Sequence, residues 1–317
     1  METNNSQIWT TQDTNLIFSI GGKEFIRVPL RLNATNMSYA TNMEPAEQVV
    51  EPTARLKEGT DGCVVDSYAV LQYQPTIKML DHTIQYANRH YKRYCIDLSG
   101  TFDEYIQKFK SKTRKRIRNR INKFTRFCDG KLIFKSYQTA EDFDEFYQLA
   151  LSVSVETYQH KLHQCGLPDN QSDIEIYRQL AVNNALRGFL LFHGDKPIAY
   201  NLITIKNNVA LADAGGYNPE YANWSVGTVT EWLSLEKLFA DDTLTTLDYG
   251  LGEADYKEFF STGNQLVVDV FFLKKTLRNT LLIISHAAFS RLIRNTGNLI
   301  DKVGLKKRLI KLIRRSA

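Results

Sequence analysis

Apolar and polar positions change their period several times along the chain, and each change predicts an element. Asn15–Ile20 and Glu24–Leu30 read as a strand pair about Gly21-Gly22, a turn signal of the Gly-Gly type. Arg31–Asp61 is polar with few periodic apolar residues and reads mostly as loop, whereas Cys63–Gln72 and Tyr94–Leu98, rich in Val, Tyr and Ile, read as strands. The period then becomes helical. Thr101-Phe-Asp-Glu104 fits a capping box, and Phe102, Tyr105, Ile106, Phe109, Thr113, Ile117, Ile121 and Phe124 follow at three- and four-residue steps. One helix over 101–127 is predicted, apolar on one side and cationic elsewhere, because Lys108 through Arg126 hold ten basic residues and no acid.

Beyond Gly130 the elements alternate. A strand is predicted at Leu132–Tyr137, then a helix from Thr139 to about Tyr158 with Phe143, Phe146, Tyr147, Ala150 and Val153 inward, then a helix at Asp173–Asn184. Gly188–His193 and Pro197–Lys206 form a hairpin about Gly194-Asp195, and Val209–Tyr217 is a further strand. The loop Asn218–Gly227 leads into a helix at Thr228–Ala240, and strands at Leu244–Tyr249 and Gln265–Lys275 close the set. The tail from Leu277 reads as helix divided at Asn295–Asn298. Its second piece sets Leu299, Ile300, Val303, Leu305, Leu309, Ile310 and Ile313 against a face of lysines and arginines. The pattern predicts an α/β (α+β) fold in three parts: a β-rich region at 1–94, a catalytic domain at 95–275, and a basic amphipathic tail at 276–317.

Composition narrows the class without naming an activity. At 317 residues, 43% hydrophobic and 24% charged, the chain has the composition of a folded globular protein. Its net charge of +5 conceals a division: from Lys274 onward there are 12 basic residues and one acid, which leaves the preceding body at −6. Concentrated basic segments on a mildly acidic body point to particular anionic partners. No signal peptide and no apolar run long enough to span a bilayer are legible, so a cytoplasmic location is expected. Cys63, Cys95, Cys128 and Cys165 are widely spaced without metal-ligand pairing, so neither a metal site nor a disulfide framework is expected.

Three constellations can carry chemistry. In Ala212–Leu235 a helix start at Ser225-Val-Gly-Thr-Val229 offers first-turn amides to a phosphate, with capping as the plainer role. In Leu247–Phe260, Asp248 closes a strand next to glycines, and Tyr256 and Lys257 offer a hydroxyl and a cation to a developing negative charge. Equally, Asp248 fits a turn residue and Lys257 a solvated charge. In Ser154–Lys161, Glu156 and His160 share a helical face and can take a proton from an amine, or simply end a solvated helix.

These blocks together resemble a known family. YCIDLSGTFDEYIQKFKSKTRKRIRNRINKF, SVETYQHKLHQCGLP, GFLLFHGDKPIAYNL, GGYNPEYANWSVGTV and LDYGLGEADYKEFFSTG occur in order between about Tyr91 and Leu273. In that order they resemble the BioF2-like, or cellulose-biosynthesis (CelD-type), branch of the GNAT acyltransferases, distant relatives of the Fem-type peptidyltransferases. The resemblance implies a GNAT fold with a reduced N-terminal half. It also implies an acyl-CoA donor, acetyl-CoA foremost, with its pyrophosphate on the amides around Val226–Val229. The acceptor would be an amine that attacks the thioester directly, in a groove between the strands ending near Gly216 and Tyr249. Lys257, following Tyr256, matches a lysine that polarises the reacting carbonyl in Fem-like relatives. Ser225-Val226-Gly227 departs from the family's usual Ser-Pro-Gly and implies a less rigid loop.

The expected acceptor is an amino group on a sugar nucleotide, a glycan-lipid intermediate or an amino-lipid, in polysaccharide or envelope biosynthesis. The tail is the candidate contact with an anionic membrane face or with polysaccharide- or lipid-assembly proteins. The basic helix fits phosphates better than RNA, because no aromatic residues interleave with its cationic face. The alternatives are Fem-like aminoacyl transfer from tRNA, and a degenerate GNAT serving as a membrane-linked scaffold.

Overall fold

The computed structural model describes residues 9–20, 23–39, 44–157 and 166–302. The chain divides into two compact units, one built from the described parts of 1–37, 43–91 and 265–317, the other from those of 38–42 and 92–264.

The first unit begins with a hairpin of β1 (Thr10–Ile20) and β2 (Lys23–Asn36), both longer than the sequence pattern predicts. Gly21 and Gly22, the expected turn, lie outside the described residues. The extension of β2 into the polar Arg31–Asn36 corrects the expectation of loop there, and its cause is tertiary. Leu32 to Asn36 pair in parallel with β3 (Gly62–Ala69), and Leu32 and Ala34 enter the core while Asn33 reaches the Arg55 carbonyl at 3.0 Å. β11 (Gly263–Lys274) runs antiparallel to β3, and β4 (Ile77–Met79) to the first part of β5 (Thr83–Asp97). Leu16, Leu30, Val64, Tyr86 and Leu273 form a core with Ile283 of the last helix, α7 (Leu277–Lys302). That helix passes unbroken through Asn295–Asn298, where a division was expected. A single interior glycine costs about 1 kcal/mol, which a long helix tolerates. The rest of the expected second piece, 303–317, lies outside the described residues.

In the second unit the end of β5 pairs antiparallel with β10 (Thr246–Asp248), and β10 runs parallel to β9 (Val209–Tyr217). An antiparallel run of β8 (Lys196–Lys206), β7 (Leu186–His193) and β6 (Ile133–Tyr137) completes this mixed sheet. Expected strands and the observed hairpin agree closely here, because the apolar runs Leu190–Phe192 and Ile198–Tyr200 are buried within the unit.

The basic helix is two helices. α1 (Phe102–Ile106) carries the expected capping box, with Thr101 and Glu104 each satisfying the other's amide. The chain then breaks at Gln107–Lys110 before α2 (Ser111–Phe127). The break lets Phe109 turn into the core, stacked on Phe259 with ring centroids 5.1 Å apart, and lets the Lys108 ammonium reach the Phe260 and Ser261 carbonyls. A continuous helix satisfies the apolar period but not these contacts.

α3 (Phe143–Ser154) buries Phe143, Phe146, Tyr147, Ala150 and Val153 as the spacing predicts, and α4 (Gln171–Val182) starts at Asn170, whose side chain accepts from the Asp173 amide. α5 (Val226–Phe239) follows β9 and packs Val226, Val229, Leu235 and Leu238 inward. A short helix absent from the sequence reading, α6 (Asp255–Phe260), follows β10. The fold is of the mixed α/β class.

Candidate functional site

The ladder between β9 and β10 holds only from Thr246/Val209 to Asp248/Leu211. Beyond it β9 continues six residues to Tyr217, while the segment after β10 runs through Gly250 and Gly252, both at positive φ, with Gly250 still beside Ala212. The carboxyl ends of adjacent parallel strands, where their ladder stops, are where an α/β sheet meets a ligand. β9 also carries an extra residue at Asp213, between the Ala212 and Ala214 pairings with β8, a bulge of the type found beside active sites.

At the start of α5, Ser225 adopts a left-handed backbone, φ 56° and ψ 33°, which for a residue with a Cβ costs on the order of 1 kcal/mol. No side chain caps this turn and its first turn carries no acid. Val226 and Val229 are buried, and the Val229 amide already donates to the Ser225 carbonyl at 3.1 Å, so of the five residues expected to hold phosphate Val226 contributes its backbone only and Val229 offers no free donor. Helix α2 brings cations to the same place. Arg120 donates to the Thr228 hydroxyl at 3.3 Å, and Lys123 donates to the Asn223 carbonyl at 3.3 Å while lying 4.8 Å from the Trp224 ring. Trp224 stacks on Phe127 of α2 at 4.0 Å, which holds the two elements together. Ser225, Gly227 and Thr228 thus share a helix start with two cations that no local motif indicates. The donor chemistry fits: first-turn amides and a guanidinium suit a pyrophosphate.

The expected catalytic residues divide. Asp248 is fully buried and engaged on both oxygens. Arg93 Nε lies 2.8 and 3.0 Å away, and the amides of Gly250 and Tyr39 donate at 2.9 and 3.1 Å. A carboxylate so occupied positions the end of β10 and has no lone pair directed at a substrate proton. Lys257, on α6, is buried too. Its ammonium donates to the Leu251 and Gly252 carbonyls at 2.6 and 3.2 Å, tying down the loop that leaves β10. Burial lowers it to about 8, opposed by Asp248 and reinforced by Arg93. Tyr256 is half-exposed and meets Tyr249 edge-on at 5.8 Å.

Glu156 lies past the end of α3, and His160, expected to share its helical face, falls outside the described residues. Glu156 accepts from Asn218 Nδ2 at the end of β9 and pairs with Lys196 at 3.9 Å.

One carboxylate escaped the sequence reading. Glu231, in the second turn of α5, accepts from the Tyr249 hydroxyl and, at 3.1 Å, from Asn201 Nδ2 of β8. Burial pushes its carboxyl up, against the lowering effect of those two hydrogen bonds, while Tyr249 and Tyr256 are raised first by their own burial and then by Glu231. Asn201 pairs with Gly215 of β9, where a Cβ would stand 2.7 Å from Asn201 Oδ1, so glycine there keeps the amide on Glu231. Only a helical-face plot of α5 against β8 and β9 signals Glu231, and that needs the fold. A separate groove of about 540 Å³ opens at the α1–α2 break, lined by Lys108, Lys110, Phe109 and Phe259 among others. Among the described residues no group of three or more His, Cys, Asp or Glu is placed to hold a metal.

Residues 111–258 match the family model described as an acetyltransferase (GNAT) domain. No curated protein matches the chain. Among solved structures, a DUF2156 C-terminal domain from Agrobacterium fabrum is 12% identical, with 63% of this chain and 66% of that one covered and a TM-score of 0.43. L-PGS from Bacillus licheniformis is 16% identical over 62% of this chain and 66% of that one, with a TM-score of 0.38. FemX is 11% identical over 87% and 90%, with a TM-score of 0.47. The chain spans slightly less than two thirds of the length of the first two.

Proposed function

We propose that the protein moves an acyl group, acetyl foremost, from CoA to an amine by direct attack on the thioester at the carboxyl ends of β9 and β10. The observations that carry this reading are the end of the β9–β10 ladder and a helix start after β9 flanked by Arg120 and Lys123. The donor pyrophosphate lies on the Ser225–Val229 turn, and the thioester reaches the end of β10 beside Tyr249. The amine nitrogen attacks the thioester carbonyl, the C–S bond breaks, and CoA leaves as thiolate. Glu231 accepts the ammonium proton, Tyr256 donates a hydrogen bond to the departing thiolate, which takes its proton from solvent, and Asp248 and Lys257 position the strand end and loop around them. Glu156 is the proposed contact for the acceptor amine.

The acceptor is an amine on a sugar nucleotide, a glycan-lipid intermediate or an amino-lipid, in keeping with the BioF2-like or CelD-type branch, and the enzyme works at the inner face of a cell membrane. Aminoacyl transfer from tRNA is the second reading. It is favoured by the charge of α2, which holds eight of the ten basic residues between Lys108 and Arg126 and no acid.

Thermal shift with CoA, acetyl-CoA and a long-chain acyl-CoA tests the donor. A ligand at 100 times its Kd adds about 2.7 kcal/mol of stability. Arg120→Ala with Lys123→Ala should abolish the shift. Glu231→Gln should keep the shift and lose transfer to an amine panel. No shift with any CoA species removes the reading.

A further inference from the structure

Helix α7 is apolar on two opposite sides. Its inner side presents buried Ile283 and His286, with Leu282 and Ala287 partly buried beside them. His286 is fixed there by the Tyr86 hydroxyl at 2.6 Å and the Ile17 carbonyl at 3.0 Å. On the outer side Leu277, Leu281, Ile284 and Leu292 are 77%, 56%, 53% and 60% exposed, and Ala288 is exposed among them. At 3.6 residues per turn these positions fall within a sector of about 80°, centred opposite Ile283 and His286. A surface helix ordinarily shows one apolar stripe; a second, contiguous one needs a cover.

The charge around the stripe says what the cover is. By the same helical geometry Arg278 and Arg291 fall on either side of it, Arg278 also pairing with Asp61 at 2.8 Å. Residues 274–317 hold 12 lysines and arginines and one acid. A second copy of this chain would bring the same positive charge to the contact, which opposes association. A bilayer with anionic headgroups takes both features at once: aliphatic side chains enter the acyl boundary, and cations lie at the phosphate level.

We propose that α7 lies in the plane of an anionic lipid bilayer through Leu277, Leu281, Ile284 and Leu292, with Arg278 and Arg291 at the level of the lipid phosphates. This names the surface behind the membrane location proposed above. Because no donor or acceptor is needed for binding, its outcome is separate from that of acyl transfer.

The test is co-sedimentation of the full chain with phosphatidylcholine vesicles, with and without phosphatidylglycerol, beside the charge-neutral double variant Leu281→Asn, Ile284→Asn. Expected are binding to the anionic vesicles only, weakening with salt, and a loss of about tenfold or more in the partition coefficient of the variant at unchanged melting temperature. Both changed residues are exposed, so the fold should survive them. Absence of binding to anionic vesicles overturns the proposal, as does equal binding by the double variant. So does a dimer in sedimentation equilibrium that the double variant alone dissolves, because the stripe would then be an interface between copies.

Discussion

The assignment of Asp248 to positioning makes a quantitative prediction through Arg93. The two side chains are 0% and 2% exposed, and no water is at hand to compensate either charge alone. Removing one partner of such a pair costs about 3–5 kcal/mol, because the other charge stays buried. Arg93→Met and Asp248→Ala should each lower the melting midpoint by about 10 °C. Asp248→Asn should do nearly as much, since its amide faces the Arg93 guanidinium donor to donor. The double replacement Arg93→Met, Asp248→Leu should be less destabilised than the two single costs combined, with a coupling of about 1–3 kcal/mol. Circular dichroism melts of the full chain give the midpoints, and acyl-CoA turnover measured below each midpoint separates folding from chemistry. Asp248→Asn with the wild-type midpoint and no turnover would refute the argument and return Asp248 to the reaction.

Two further outcomes test the packing. Asp66, in β3, is raised from 3.8 to about 6, first by burial and then by Asp269. The folded chain therefore holds more protons than the unfolded one across that window, and stability falls as pH rises through it. Asp66→Asn should raise the melting midpoint above pH 6, by an effect on the order of 2 kcal/mol, and leave it unchanged near pH 4. A Cβ at Gly188 would stand 2.7 Å from the buried Phe146 ring, so Gly188→Ala should cost about 1–3 kcal/mol in urea titration, with the donor shift preserved.

The expectations that held are those resting on local physics. The Thr101–Glu104 capping box, the inward face of α3, the Gly194-Asp195 hairpin and the span of β9 depend on short-range hydrogen bonds and on periods a single segment carries. Those that failed involve polar residues satisfied from far along the chain. Arg31–Asn36 reads as loop until β3 pairs with it, and the extent of β5 is hidden because Arg93 is buried only by virtue of Asp248, 155 residues away. The same reason divides the site. The amino-acid sequence by itself determined the helix start near Ser225–Val229 now proposed for the donor phosphates, the aromatic-lysine pair Tyr256-Lys257, and the concentration of positive charge in two segments. Tertiary structure alone decided that Asp248 is spent on Arg93, that Lys257 holds loop carbonyls, that Arg120 and Lys123 meet the helix start, and that Glu231 lies under Tyr249. A carboxylate's role depends on which donors surround it and how much water they exclude, and those neighbours are assembled only when distant strands and helices pack.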